Sequence, residues 1–134
     1  MLRGTCQCEG VEFSVEDVEP IGINCYCTIC RKISGGAYAP TLSVDPAGFK
    51  IVRGQELLVK YNATPGFNRW HCSRCHSPIY GEAPGNKQLP IFVPAGLFDG
   101  ADIAHVKFNH MFVRSLVPWH KIEGDGARFD TYPG

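Results

Sequence analysis

The segment Cys25-Tyr26-Cys27-Thr28-Ile29-Cys30 places three cysteines in six residues, and Arg31-Lys32-Ile33-Ser34-Gly35-Gly36 follows directly. Thr28 to Ser34 has no internal breaker, and a glycine pair closes it as a helix C-cap should. This is the best helical stretch in the chain. Ala101 to His105 is a second candidate turn of helix. Elsewhere the pattern is short β-type alternation. Val11-Glu12-Phe13-Ser14-Val15 sets Val, Phe and Val on one face. Further strands are expected at Tyr38 to Val44, Phe49 to Arg53, Leu57 to Tyr61, Phe67 to Cys72, Pro78 to Gly81, Leu89 to Val93 and Val106 to Leu116. Asp45-Pro46-Ala47-Gly48 and Thr64-Pro65-Gly66 are turn signals between them. Many short strands with few helices predict a mainly β domain.

The remaining cysteines form two more groups, Cys6-Gln7-Cys8 and Cys72-Ser73-Arg74-Cys75. Seven cysteines is an odd number, so disulfides alone cannot pair them. The first ten residues, MLRGTCQCEG, hold no apolar run of the kind a secretory signal needs. The expected location is therefore cytoplasmic, where thiols stay reduced and clustered cysteines bind metal or do redox chemistry. C-x-C in an extended chain aims two thiols to one side, and C-x-x-C brings two thiols together in a tight turn. Two such pairs make a closed tetrahedral site, for which zinc is the default metal. Spacing leaves two groupings open. Cys27, Cys30, Cys72 and Cys75 form a zinc ribbon, stranding Cys6, Cys8 and Cys25. Alternatively Cys6, Cys8, Cys72 and Cys75 form one site, leaving Cys25, Cys27 and Cys30 as a three-ligand set. Three protein ligands with an open fourth position is the pattern of a catalytic zinc. Competing explanations are weaker. Cys72-Ser73-Arg74-Cys75-His76 matches a haem attachment motif, but five cysteines would go unexplained. No βαβ pattern surrounds either C-x-x-C as a thioredoxin-like site requires. An iron–sulfur cluster could use four thiolates, and inert buried cysteines do not explain ligand spacing three times over.

Composition bounds the rest. A chain of 134 residues, 44% hydrophobic and 19% charged, suits one domain over residues 1–134 and excludes general disorder. The 15 glycines and 10 prolines are scattered as punctuation, with no linker or repeat. Thirteen basic residues balance thirteen acidic ones, which argues against gripping nucleic acid through phosphates. No run approaches the roughly 20 apolar residues of a membrane helix.

Three stretches together resemble the glutathione-dependent formaldehyde-activating enzyme family, which includes centromere protein V. They are Gly4-Thr5-Cys6-Gln7-Cys8-Glu9-Gly10-Val11-Glu12-Phe13, Cys25 through Gly35, and Cys72-Ser73-Arg74-Cys75. The tail, with Pro118-Trp119-His120-Lys121-Ile122, Phe129 and Pro133, is similar to the family's ending. The resemblance implies a mainly β, Mss4-like β-tent of antiparallel sheets around a four-cysteine zinc site, with one or two short helices. It implies a structural zinc on Cys6, Cys8, Cys72 and Cys75, and a second, labile zinc on Cys25, Cys27 and Cys30, the catalytic set. It implies a carbon–sulfur lyase that joins glutathione to formaldehyde, with a thiol and an aldehyde as partners and neither nucleic acid nor membrane. The alternative is a non-enzymatic zinc-stabilised binding module with a vestigial second site. Two positions depart from the family pattern beside the metal sites. His76 stands where Gly is usual, and Tyr26 where His is frequent.

Several side chains are candidates for the chemistry. Arg31 and Lys32 could meet glutathione carboxylates, or form a solvated pair on the helix surface. His71, His76 and His120 are acid–base candidates, each weighed against a structural, hydrogen-bonded role. His105 and His110 are the less favoured means of completing a zinc site. Trp119 is expected to be a packed core aromatic rather than a pocket wall. Loading seven thiolates with two Zn²⁺ would take the formal charge from zero to −3.

Overall fold

A computed structural model describes residues 1–16 and 19–133. Ten strands and one α-helix are present among these residues: β1 Leu2–Thr5, β2 Glu12–Val15, β3 Ile21–Cys25, α1 Thr28–Ser34, β4 Ala39–Val44, β5 Phe49–Arg53, β6 Leu58–Thr64, β7 Phe67–Cys72, β8 Pro78–Glu82, β9 Ile91–Pro94 and β10 Phe108–Met111. A three-stranded sheet has the order β1-β2-β5, and a seven-stranded sheet the order β10-β3-β4-β9-β8-β7-β6. The mainly β class is as the sequence predicts. Pairing is antiparallel in both sheets except where β10 runs parallel to β3 at the large sheet's edge.

The main core lies where the two sheets face each other. Phe13 and Val15 of β2, Leu42 and Val44 of β4, Ile79 of β8 and Val93 of β9 are almost fully buried there. Phe13 stacks edge-to-face on Phe98, with ring centroids 5.3 Å apart. Removing such a ring from a packed interior costs about 3–5 kcal/mol, so this contact ties β2 firmly to the segment that follows β9. Cys6 and Cys72 belong to this same cluster, which puts the first cysteine site at the rim of the core. A smaller cluster, Ile23, Cys25, Cys30 and Met111, forms where β3 and β10 meet α1.

Most local expectations hold to within a few residues. The helix has the predicted bounds, and Gly35 closes it in the left-handed region at φ 75°, where a Cβ would be strained. Asp45-Pro46-Ala47-Gly48 becomes a 3-10 turn over Pro46–Gly48, with the Asp45 carboxylate accepting from the Ala47 N–H. Three expectations change. The long strand at Val106 to Leu116 shrinks to β10, because Phe112 adopts φ 58° and a 3-10 turn follows. Ala101 to His105 makes hydrogen-bonded turns without becoming a helix. β1 and β3 went unpredicted. β3 carried the signal, with Ile21, Ile23 and Cys25 alternating against Gly22 and Asn24. β1 is LRGT, which has no apolar alternation and is held by its pairing with β2.

Candidate metal centre

The first cluster is assembled by two hairpin turns. Cys6 and Cys8 follow β1, and Cys72 and Cys75 flank the turn between β7 and β8. The Cys6–Cys8 pair is not extended as C-x-C geometry suggested. The chain turns there, with the Glu9 N–H donating to the Cys6 carbonyl and Glu9 at φ 62°. The two thiols converge because the turn folds them together, and their Sγ atoms are 3.6 Å apart. Cys8 Sγ lies 3.8 Å from Cys72 Sγ. A tetrahedron with metal–sulfur bonds of about 2.3 Å has edges of about 3.8 Å, so these spacings fit one ion held by thiolates. They are far too long for a disulfide, and all seven cysteines are free.

The surroundings of this set also favour thiolates. The Val11 and Arg74 backbone N–H groups donate to Cys6 Sγ and Cys72 Sγ at 3.3 and 3.4 Å. Burial pushes the Cys75 thiol up, but hydrogen bonds from the Ser77 hydroxyl and backbone, the Cys8 backbone and the Cys6 side chain together bring Cys75 down to about 5. At Cys8 the Gly10 backbone N–H pulls down, while burial and the hydrogen bonds of Cys6, Cys75 and Cys72 leave it raised to about 11. Cys8 is thus pushed up and Cys75 pushed down within one crowded set of sulfurs, a conflict that a shared cation removes.

His76 completes this turn. It sits at φ 64°, a left-handed conformation in which glycine is unstrained, and its N–H donates to the Cys72 carbonyl. The side chain is exposed, with its ring 6.2 Å from that of His71.

The second cluster is built by the end of β3 and the start of α1. Strand alternation sends Ile23 and Cys25 to one face, and Asn24 and Tyr26 to the other. Cys27 is the helix N-cap, and its Sγ accepts from the Cys30 N–H at 3.3 Å. The three Sγ atoms lie within 4.8 Å of one another, with no His, Asp or Glu joining them among the described residues. Hydrogen bonds from Cys25 and Cys30 push Cys27 down to about 2, while Cys25 is pushed well up by its bonds with Cys27 and Cys30 and by burial. One thiolate solvated by its neighbours suits a site whose other partner is a cation. Ala39, Phe92 and Phe112 pack against the apolar cluster that Cys25 and Cys30 share with Ile23 and Met111. Both clusters are therefore able to hold a metal ion, and the two-plus-two ribbon grouping is not the one observed.

The other candidates fall in several places. Arg31 is half-buried on α1, one turn beyond Cys27, and Lys32 is exposed beside it. Tyr26 is buried with its phenol turned away from the thiols, 3.1 Å from His110 Nδ1. The departure at position 26 is thus a core substitution on the far face of β3. His110 is buried beside Tyr26 and Asn24, His120 packs on Tyr26 and Tyr38, and His105 is exposed. None of these histidines enters a cysteine cluster. Trp119 is 70% exposed, not a core aromatic, because the tail runs over the surface there. One residue escaped the sequence reading. Arg69, on β7, directs Nη2 to Cys30 Sγ at 3.9 Å. Thirty-nine residues separate the two, so no local signal could pair them.

Fold and site define a mainly β protein with two cysteine clusters, one of four thiols and one of three, each shaped for a metal ion. The chain belongs to the glutathione-dependent formaldehyde-activating enzyme family, whose profile matches residues 1–115. A Halomonas elongata protein, provisionally named a glutathione-dependent formaldehyde-activating enzyme, is 42% identical over 88 residues, 60% of this chain. The chain spans 55% of the length of that curated relative. A crystal structure of a Rhodobacter sphaeroides protein shares the fold, with a TM-score of 0.64 at 24% identity, over 81% of this chain and 100% of that one.

Proposed function

We propose that this chain is a two-zinc enzyme of the carbon–sulfur lyase type, acting on a glutathione–aldehyde adduct of the S-hydroxymethyl kind. The observation that carries this reading is the three-thiol set of Cys25, Cys27 and Cys30, which has no fourth protein ligand among the described residues. Family membership and the name of the Halomonas elongata relative support the substrates. A bound zinc would supply a Lewis acid that keeps an incoming thiol ionised at neutral pH.

The chemistry is simple to balance. The thiol sulfur forms a bond to the aldehyde carbon, the carbonyl π pair moves to oxygen, and that oxygen takes up the proton the thiol gave up. The lyase direction reverses each change. Cys25 and Cys30 are buried at the base of the site and Cys27 is half-exposed, so the site opens beside Cys27. Phe92 and Phe112 supply an apolar wall that thins the water around the reacting sulfur. Arg31 and Lys32 stand directly after Cys30 and are the proposed contacts for glutathione carboxylates. The four-thiol site anchors the hairpins and takes no part in the reaction. Seven free thiols suit a reducing, cytoplasmic setting. No helix is long and apolar enough to cross a membrane among the described residues.

Metal analysis before and after mild chelation tests the division of sites. Two zinc ions per chain falling to one supports it. A single resistant zinc removes the catalytic reading. Cobalt-substituted protein whose spectrum is indifferent to millimolar glutathione would favour a binding module with a vestigial second site.

A further inference from the structure

Arg69 is placed against the three-cysteine cluster by a specific arrangement of the large sheet. It lies on β7, four strands along the sheet from β3. Its partner across β8 is Gly81, and Gly81 in turn pairs with Phe92 on β9. A side chain at 81 would collide with Phe67, its Cβ lying 2.7 Å from that ring. Glycine therefore leaves a trough in which Phe67 settles. The Arg69 guanidinium stacks on Phe67, 5.1 Å from the ring centroid, and reaches Cys30.

The guanidinium has no carboxylate there. The ion pairs among the described residues use Arg3, Arg53 and Lys107 as cations. Arg69 Nε is buried without a hydrogen-bond partner. A partly desolvated guanidinium is costly unless an anion faces it. The anion it faces is the cluster of Cys25, Cys27 and Cys30. Three thiolates around a divalent cation carry a formal charge of −1, and a fourth thiolate makes it −2. Gathering that much negative charge against the apolar wall of Phe92 and Phe112 requires a nearby positive group.

We propose that Arg69 is a positioning residue of the second site, which offsets the sulfur charge and so lets a fourth thiolate bind beside Cys25, Cys27 and Cys30. The inference rests on the functional reading above. It assigns Arg69 to the sulfurs and not to the rest of the thiol molecule.

The test is a thiol titration of the full-length chain loaded with Co²⁺, followed through the sulfur-to-cobalt absorption band. Wild type, Arg69→Met and Arg69→Lys are each titrated with glutathione and with 2-mercaptoethanol, which has no carboxylate. Arg69→Met should raise the Kd of both thiols by about tenfold, the scale of one charge-assisted hydrogen bond. Arg69→Lys should recover part of the loss for both. The four-cysteine cobalt signal in the same sample reports that the fold is intact. If Arg69→Met loses that signal, Arg69→Gln replaces it, with the same expectations. Unchanged Kd values for both thiols overturn the proposal. So does a loss confined to glutathione, since Arg69 would then be reading a carboxylate. Wild-type protein that takes up only one cobalt overturns the functional reading itself. Wild type with two cobalts and unaffected variants overturns the role of Arg69 alone.

Discussion

Tyr26 and His110 meet 3.1 Å apart, phenol oxygen to Nδ1, on the face of β3 opposite the thiols of Cys25 and Cys27. Asn24 Nδ2, which can only donate, lies 3.5 Å from the same nitrogen. Tyr26, Asn24 and His110 thus form one buried polar group behind the strand. Both partners are buried. Tyr26→Phe should cost about 0.5–1.5 kcal/mol, the net value of a buried hydrogen bond, read as a lower Tm in thermal unfolding. Metal content should not change, because the phenol never reaches the cluster. Loss of a metal ion on this substitution would contradict the two-face arrangement.

The same pair predicts a pH dependence. Burial holds the His110 pKa below its ordinary value, and the positive charges of Arg128 and His120 add to the effect. The groups around it are Asn24 and Tyr26 from the β3 side, and His120 and Arg128 from the C-terminal segment. The unfolded chain then binds the proton more readily than the folded one. The stability is fully present above about pH 6.5 and is lost as pH falls toward the depressed folded value. His110→Gln removes this titration. The Tm difference between wild type and variant should shrink from about pH 7.5 to about pH 5.5. An equal difference at both would show that His110 does not titrate this way.

His76 occupies a left-handed position that glycine would hold without strain. His76→Gly should therefore stabilise the metal-loaded protein by about 0.5–1 kcal/mol, despite the added freedom of the unfolded chain. Denaturant unfolding measures it. A destabilised variant would mean that the imidazole beside His71 contributes more than backbone relief returns.

Cys6 and Cys27 should respond differently to the same substitution. Cys6 is 2% exposed within the main core and tied to the β7–β8 turn through its cluster, so Cys6→Ser should abolish cooperative unfolding or lower Tm severely. Cys27 is half-exposed at the N-cap of a seven-residue helix, and serine is itself a good N-cap. Cys27→Ser should keep the fold by circular dichroism, lose one metal equivalent and lose thiol-dependent turnover. Equal damage from both would mean that the two sites do not differ in kind.

Much of the fold and of the site was legible in the sequence. Strands β5 and β7 and helix α1 have their predicted bounds, because each is marked by local chemistry: alternation, a turn or a closing glycine pair. Expectations failed where the deciding force lay elsewhere in the chain. β1 exists because β2 pairs with it, and the strand at Val106 to Leu116 stops where Phe112 turns left-handed. Trp119 was misplaced because hydrophobicity does not say which aromatic finds a partner.

By itself the sequence determined that seven thiols stand at metal-ligand spacing in three groups, since spacing along a short turn limits which sulfurs can meet. The tertiary structure decided the partition that spacing left open and the family resemblance implied, four against three, because Cys6 and Cys72 approach through a core built between two sheets. It also decided that Tyr26 faces away from the metal centre and that Arg69 faces Cys30. Those relationships depend on strand register and on the space left by Gly81, quantities that exist only once distant strands have paired.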